Sequence, residues 1–126
     1  MNNQESVKKK LDKISPSFCA AKWYNASIWL SNGKTASCHH PLGHKIPLSE
    51  LNENPSALHN TEFKKEQRKK MLEGERPDEC SYCWRVEDAG EPYSDRVYQS
   101  QRYSDKDIKK LSELPYDANI APKTLE

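Results

Sequence analysis

The chain has 126 residues, of which 34% are hydrophobic and 31% charged, with eight prolines and two phenylalanines; this is enough for one domain with a thin apolar core, the kind that needs a staple. Twenty basic residues against nineteen acidic ones leave a formal charge of +1, which speaks against a general nucleic-acid binder. No apolar run approaches the ~18 residues of a membrane span, and the lysine-bearing start from Met1 to Lys13 has no apolar stretch after it, unlike a secretory signal. A cytoplasmic protein with no membrane partner is expected, in a compartment where thiols stay reduced.

Residues 1–16 read as a flexible or helical lead-in, with Val7, Leu11 and Ile14 at loose helical spacing and an interruption at Ser15-Pro16-Ser17. Two β-type runs follow, Ala26-Ser27-Ile28-Trp29-Leu30 and Thr35-Ala36-Ser37-Cys38, on either side of Ser31-Asn32-Gly33-Lys34. Asn-Gly between such runs predicts a β-hairpin with a type I′ turn, whose two central residues both need φ > 0. Cys38 to His44 reads as a loop, and 47–53 as a short helix stopped by Asn54-Pro55.

The main helix is expected near 61–73, with Gly74 at its C-terminal cap. Its lysines and arginine alternate with Glu62, Glu66 and Glu73, and Glu66 stands four residues before Lys70. That pattern predicts a solvated face rather than a patch for a polyanion. Cys80-Ser81-Tyr82-Cys83 reads as a tight turn. Residues 17–90 make up the expected module. Residues 91–126 form a polar, helical or extended tail, with tyrosines at 93, 98, 103 and 116 and a helix over about 105–114. The fold class expected is small α+β: a hairpin, the main helix and a Cys-x₂-Cys turn in a Cys-rich metal-binding domain.

Two cysteines two residues apart can aim both sulfurs at one ion, so Cys80 and Cys83 suit zinc and iron–sulfur sites alike. The hairpin supplies a second pair, because Cys19 enters before its first strand and Cys38 leaves its second. Together Cys19, Cys38, Cys80 and Cys83 predict a tetrathiolate site. Four unrelated structural cysteines, disulfides and a catalytic cysteine beside His39 or His40 are the competing readings. The polar composition weighs against the first, the compartment against the second, and the lack of a third orienting group against the third. His39, His40 and His44 stand close enough to Cys38 in sequence to supplement or replace a thiolate, whereas His59 reads as structural. Tetrahedral sulfur coordination leaves zinc and iron–sulfur chemistry both open.

Phe18-Cys19-x₃-Trp23, followed by x₉-Gly33-x₄-Cys38, resembles the opening of SPASM and Twitch domains, the auxiliary-cluster modules of radical SAM enzymes. Met71-Leu72-Glu73-Gly74-Glu75, then Pro77-x₂-Cys80-x₂-Cys83-Trp84-x₂-Glu87, resembles the ligand-bearing segment of proteins in which a Twitch-like unit precedes the radical SAM core. The likeness spans about residues 17–90. It implies an auxiliary [4Fe–4S] cluster on Cys19, Cys38, Cys80 and Cys83, used for electron relay, substrate positioning or structural support, with Trp23, Tyr82 and Trp84 as shielding aromatics.

The sequence departs from the family in lacking the Cys-x₃-Cys-x₂-Cys motif of a radical SAM core, and a partial barrel would itself need roughly 200 residues. The core is therefore expected as a partner protein or domain, and this chain by itself is not expected to be an enzyme. The polar stretch from Leu114 to Glu126 resembles the run-in to a first barrel strand, which suits either a truncated product or a free-standing module. From a different class comes a zinc-stabilised Cys₄ interaction module, whose folding would depend on the metal.

Overall fold

The computed structural model describes residues 3–38, 41, 43–91 and 93–125. Among them, seven α-helices and a four-stranded mixed sheet form a small α+β fold. The sheet runs β3-β2-β1-β4. Strands β1 (Asn25–Trp29) and β2 (Lys34–Ala36) are antiparallel, β3 (His44–Lys45) pairs antiparallel with β2, and β4 (Thr124–Leu125) runs parallel to β1. The helices are α1 (Asn3–Ile14), α2 (Ala21–Tyr24), α3 (Leu48–Glu53), α4 (Glu62–Leu72), α5 (Ser81–Asp88), α6 (Asp95–Ser100) and α7 (Asp105–Glu113). No described helix is long and apolar enough to cross a membrane.

The hairpin forms, but on a longer loop than Asn-Gly suggests. Trp29 pairs with Lys34, leaving four loop residues, and only Gly33 has positive φ (67°). A type I′ turn is thereby corrected to a four-residue loop closed by the Gly33 N–H donating to the Trp29 carbonyl at 2.9 Å. An added Cβ at Gly33 would meet nothing within 4 Å, so a side chain there is opposed by backbone sterics alone. Gly33→Val should therefore cost about 1–2 kcal/mol, read as a lower denaturant midpoint at unchanged m-value. A variant as stable as the parent would remove the need for a left-handed residue at this position.

Helix α4 starts and stops where its sequence signals stand. The Thr61 hydroxyl accepts from the Lys64 N–H at 3.1 Å, and Gly74 (φ 84°) lets the Glu75 N–H return to the Lys70 carbonyl at 2.8 Å, a Schellman-type ending. Its face is not the solvated one expected. Lys64 is 1% exposed and Arg68 0%, in line with buried Met71. These positions follow one another at i, i+4 and i+7, the spacing of a single inward stripe. The long stems pack there, and the charged heads find acceptors inside.

The core joins Leu11 of α1, Phe18, Trp23 and Tyr24 around α2, Met71 of α4, Val97 of α6, and Ile108 and Leu111 of α7. Residues of the lead-in and of the polar tail thus share one core with the segment between them. Phe18 stacks on Trp23 with centroids 4.9 Å apart. Helix α7 is capped by the Ser104 hydroxyl, which accepts from the Asp107 N–H at 3.1 Å, and it carries Asp105 and Asp107 in its first turn, the sign its dipole favours.

Candidate metal centre

Cys19 sits in the bend that leads into α2. The Phe18 N–H donates to the Ser15 carbonyl and the Lys22 N–H to the Cys19 carbonyl, each at 3.1 Å, and the Ala20 N–H bonds the Ser100 hydroxyl at 3.0 Å. A short helix therefore stands between Cys19 and β1, so the thiol is brought in by α2 rather than by the strand itself. Cys38 lies two residues beyond β2. Cys80 closes a 3₁₀ turn, Asp78–Cys80, and Cys83 lies in the first turn of α5. That turn is pinned by the Trp84 indole N–H, which donates to the Pro77 carbonyl at 2.8 Å.

Three stretches of chain bring their cysteines to one wall system. Cys19, Cys38, Cys80 and Cys83 all line a single cavity, together with Lys22, Met71, Tyr82, Trp84 and Arg96. Its free volume is about 20 Å³, the space of roughly one water molecule. None of the four forms a disulfide, and Cys19 and Cys83 are buried. Among the described residues, no three His, Cys, Asp or Glu side chains stand close enough together to hold a metal ion as they are placed. Of the expected aromatic shields, Tyr82 and Trp84 line the cavity, while Trp23 is buried in the core against Phe18.

The main chain of Arg96 serves two of the thiols. Cys19 donates toward its carbonyl at 3.9 Å, and its N–H bonds the Cys83 sulfur. Burial pushes the Cys19 thiol up to about 12, with Cys80 and Cys83 adding repulsion, and burial likewise raises Cys83 to about 11. Cys80 is raised by burial too, though Lys22 opposes the shift. Without a cation among them these groups therefore stay protonated, and a bound metal would have to displace the protons.

Behind the cavity lies a layer of buried bases. Lys22 is 3% exposed and ion-paired with Glu79, the residue before Cys80. Burial works against its charge, but Cys80 and Glu79 outweigh that and raise its pKa. Lys64 Nζ donates to the Ala36 carbonyl at 3.2 Å and to His59 Nδ1 at 3.0 Å, while His59 Nε2 donates to the Trp23 carbonyl at 2.6 Å. The Lys64 and Trp23 contacts fit a neutral His59, which burial and Lys64 push down to about 3. Burial, then Arg68 and Lys22, lowers Lys64 to about 7. The Arg68 Nε donates to the Lys22 carbonyl at 2.9 Å and its Nη1 to Asn60 Oδ1 at 2.8 Å.

The histidines divide. His44 bonds Thr61 through Nε2 at 2.9 Å and packs on the Phe63 ring, away from the cavity lining. His39 and His40 lie outside the described residues. His59 is structural, as its hydrogen bonds show.

Sequence reading missed Lys22 and Arg96. A lysine in the otherwise apolar stretch Phe18-Cys19-Ala20-Ala21-Lys22-Trp23-Tyr24 was the available signal for the first. Arg96 lies in a polar segment that gave none. Compared with protein-family models, curated proteins and solved structures, this chain finds no match in any of the three.

Proposed function

We propose that Cys19, Cys38, Cys80 and Cys83 hold an auxiliary [4Fe–4S] cluster, and that the chain serves a radical SAM core, in a partner protein or domain, by electron relay, substrate positioning or structural support. The observation that carries this reading is that four cysteines from three segments of the chain, none in a disulfide, line one cavity that also holds a buried lysine. Four thiolates around either a [4Fe–4S]²⁺ cluster or a zinc ion leave a net charge of −2. The buried charge of Lys22, opposed by Glu79, then gains a counter-charge. Cysteines that remain thiols also accord with a reducing, cytoplasmic setting.

Spacing favours the cluster over a single ion. Zinc–thiolate bonds of about 2.3 Å draw four sulfurs tightly together, and no such tight group occurs among the described residues. A cluster spreads its ligands more widely than a single ion does. Apolar neighbours such as Met71 and Trp84 then keep water off it. The specific observation for the second reading, a zinc-stabilised Cys₄ interaction module, is the small free volume of about 20 Å³, which suits one ion.

Metal and acid-labile sulfide analysis of anaerobically purified protein, with a visible spectrum, decides between them. About four iron and four sulfide per chain with broad absorbance near ~400 nm is the expected result. About one zinc and no sulfide would overturn the cluster in favour of the structural module.

A further inference from the structure

Among the described residues, Lys22 is the one buried ammonium on the cavity wall. It reaches the cavity from α2, three residues after Cys19, and is tied by its own ion pair to Glu79, the neighbour of Cys80. A lysine 3% exposed is costly to keep charged, and a single carboxylate, 16% exposed at its side chain, offsets it from one side only. The second layer presents Arg68 to the Lys22 carbonyl, so the main chain carrying this lysine is itself fixed. The Ser37 hydroxyl, next to Cys38, donates to the same carbonyl at 3.4 Å. Lys22 is thus held in place by the segments bearing three of the four thiols. A solvated lysine would be screened by water; this one acts across a low-dielectric interior.

We propose that Lys22 and Glu79 act as an opposed pair of charges that sets the reduction potential of the four-cysteine centre, Lys22 favouring the reduced state and Glu79 the oxidised one. This rests on the iron–sulfur reading above. One-electron reduction by an external low-potential donor takes the loaded site from −2 to −3 without breaking a bond. A fixed positive charge stabilises the more negative state, and a fixed negative charge does the reverse. Lys22 is a positioning group for charge rather than a ligand, and it differs from a packing residue in a checkable way. Removing it and removing its carboxylate partner must move the potential in opposite directions, whereas loosening the same contact from either side would not.

The test is a potentiometric titration with dithionite as reductant, on reconstituted full chain, for the parent, Lys22→Met and Glu79→Gln, with iron and sulfide counted in each. Expected is a lower midpoint for K22M and a higher one for E79Q. Each should change the reduced-to-oxidised ratio at fixed potential roughly tenfold, about 59 mV for a one-electron couple. Shifts of the same sign, or none, with iron and sulfide intact overturn the charge-pair proposal and leave the cluster reading standing. A parent chain that takes up zinc and no sulfide overturns both. If K22M does not fold, E79Q decides, since an unmoved or lowered midpoint there is already incompatible with the proposal.

Discussion

Replacing Arg68 with alanine is expected to destabilise the fold by about 3 kcal/mol or more, seen in denaturant titration as a large drop in midpoint. The side chain is fully buried. Its loss strips the Lys22 carbonyl and Asn60 Oδ1 of a charged donor, a hydrogen bond of about 1.5–3 kcal/mol each, with the Ser37 hydroxyl and the Ile120 N–H still reaching them. Asn60 also accepts the Ile120 N–H at 3.2 Å and donates to the Ile120 carbonyl at 2.9 Å, so Arg68 indirectly steadies the segment that leads to β4. Arg68→Met keeps most of the apolar stem and isolates the polar part; it should still cost about 2 kcal/mol. A loss below about 0.5 kcal/mol in both variants would mean that relief of repulsion from Lys64 cancels the lost hydrogen bonds. Arg68→Lys should not rescue, because a single ammonium cannot span both acceptors.

That burial is also where the sequence was least legible. Thr61 and Gly74 marked the ends of α4 because caps are local chemistry, written within a few residues of where they act. Gly33 marked the hairpin for the same reason, although the loop length, and with it the turn type, depended on how Trp29 and Lys34 align. Lys64 and Arg68 gave no local sign of facing inward. Their acceptors lie on Ala36 and Lys22, far away in sequence, and on His59 and Asn60 just ahead of the helix, and a Lys/Arg/Glu run looks the same whether solvated or satisfied inside. Helix α6, Asp95–Ser100, was hidden likewise: only Val97 of its side chains is apolar and aliphatic, and its place in the core depends on Arg96 being neutralised by residues of α1 and α5. The parallel pairing of β4 with β1 joins residues about a hundred positions apart, beyond any pattern of adjacent residues. For the four cysteines, Cys-x₂-Cys and the hairpin each implied a pair in the sequence. What brings the pairs onto one cavity is α2, the Asp78–Cys80 turn and the Arg96 main chain, none of which is a feature of cysteine spacing.

Arg96→Met should cost about 3–5 kcal/mol near neutral pH, and the loss should shrink as pH falls. Arg96 is 2% exposed; it donates to Glu87 at 2.7 and 3.1 Å, to Asp12 at 2.7 Å and to the Phe18 carbonyl at 3.0 Å. It therefore ties α1, the approach to Cys19, α5 and α6 together, and fixes the main-chain atoms that meet Cys19 and Cys83. This also gives Glu87 of the Trp84-x₂-Glu87 pattern a structural role, since it accepts from both Arg96 and Ser94. Burial alone would raise Glu87 and Asp12, but Arg96, aided by Ser94 at the first and Lys8 at the second, lowers both. A carboxylate whose folded pKa lies below its unfolded one contributes stability above the unfolded value and loses it as pH falls through the folded value. The parent should accordingly weaken below about pH 4.5, where the same carboxylates of the unfolded chain begin to take up protons while the folded ones still resist. In R96M the opposing guanidinium is gone and burial pushes Glu87 upward, so protonation relieves an unpaired buried charge instead of breaking a pair. The two stability curves should converge toward acid pH in urea titrations run between about pH 7 and pH 4. Curves that stay parallel across that range would show that Arg96 holds the fold through its packing and its bond to Phe18, with the carboxylates contributing little.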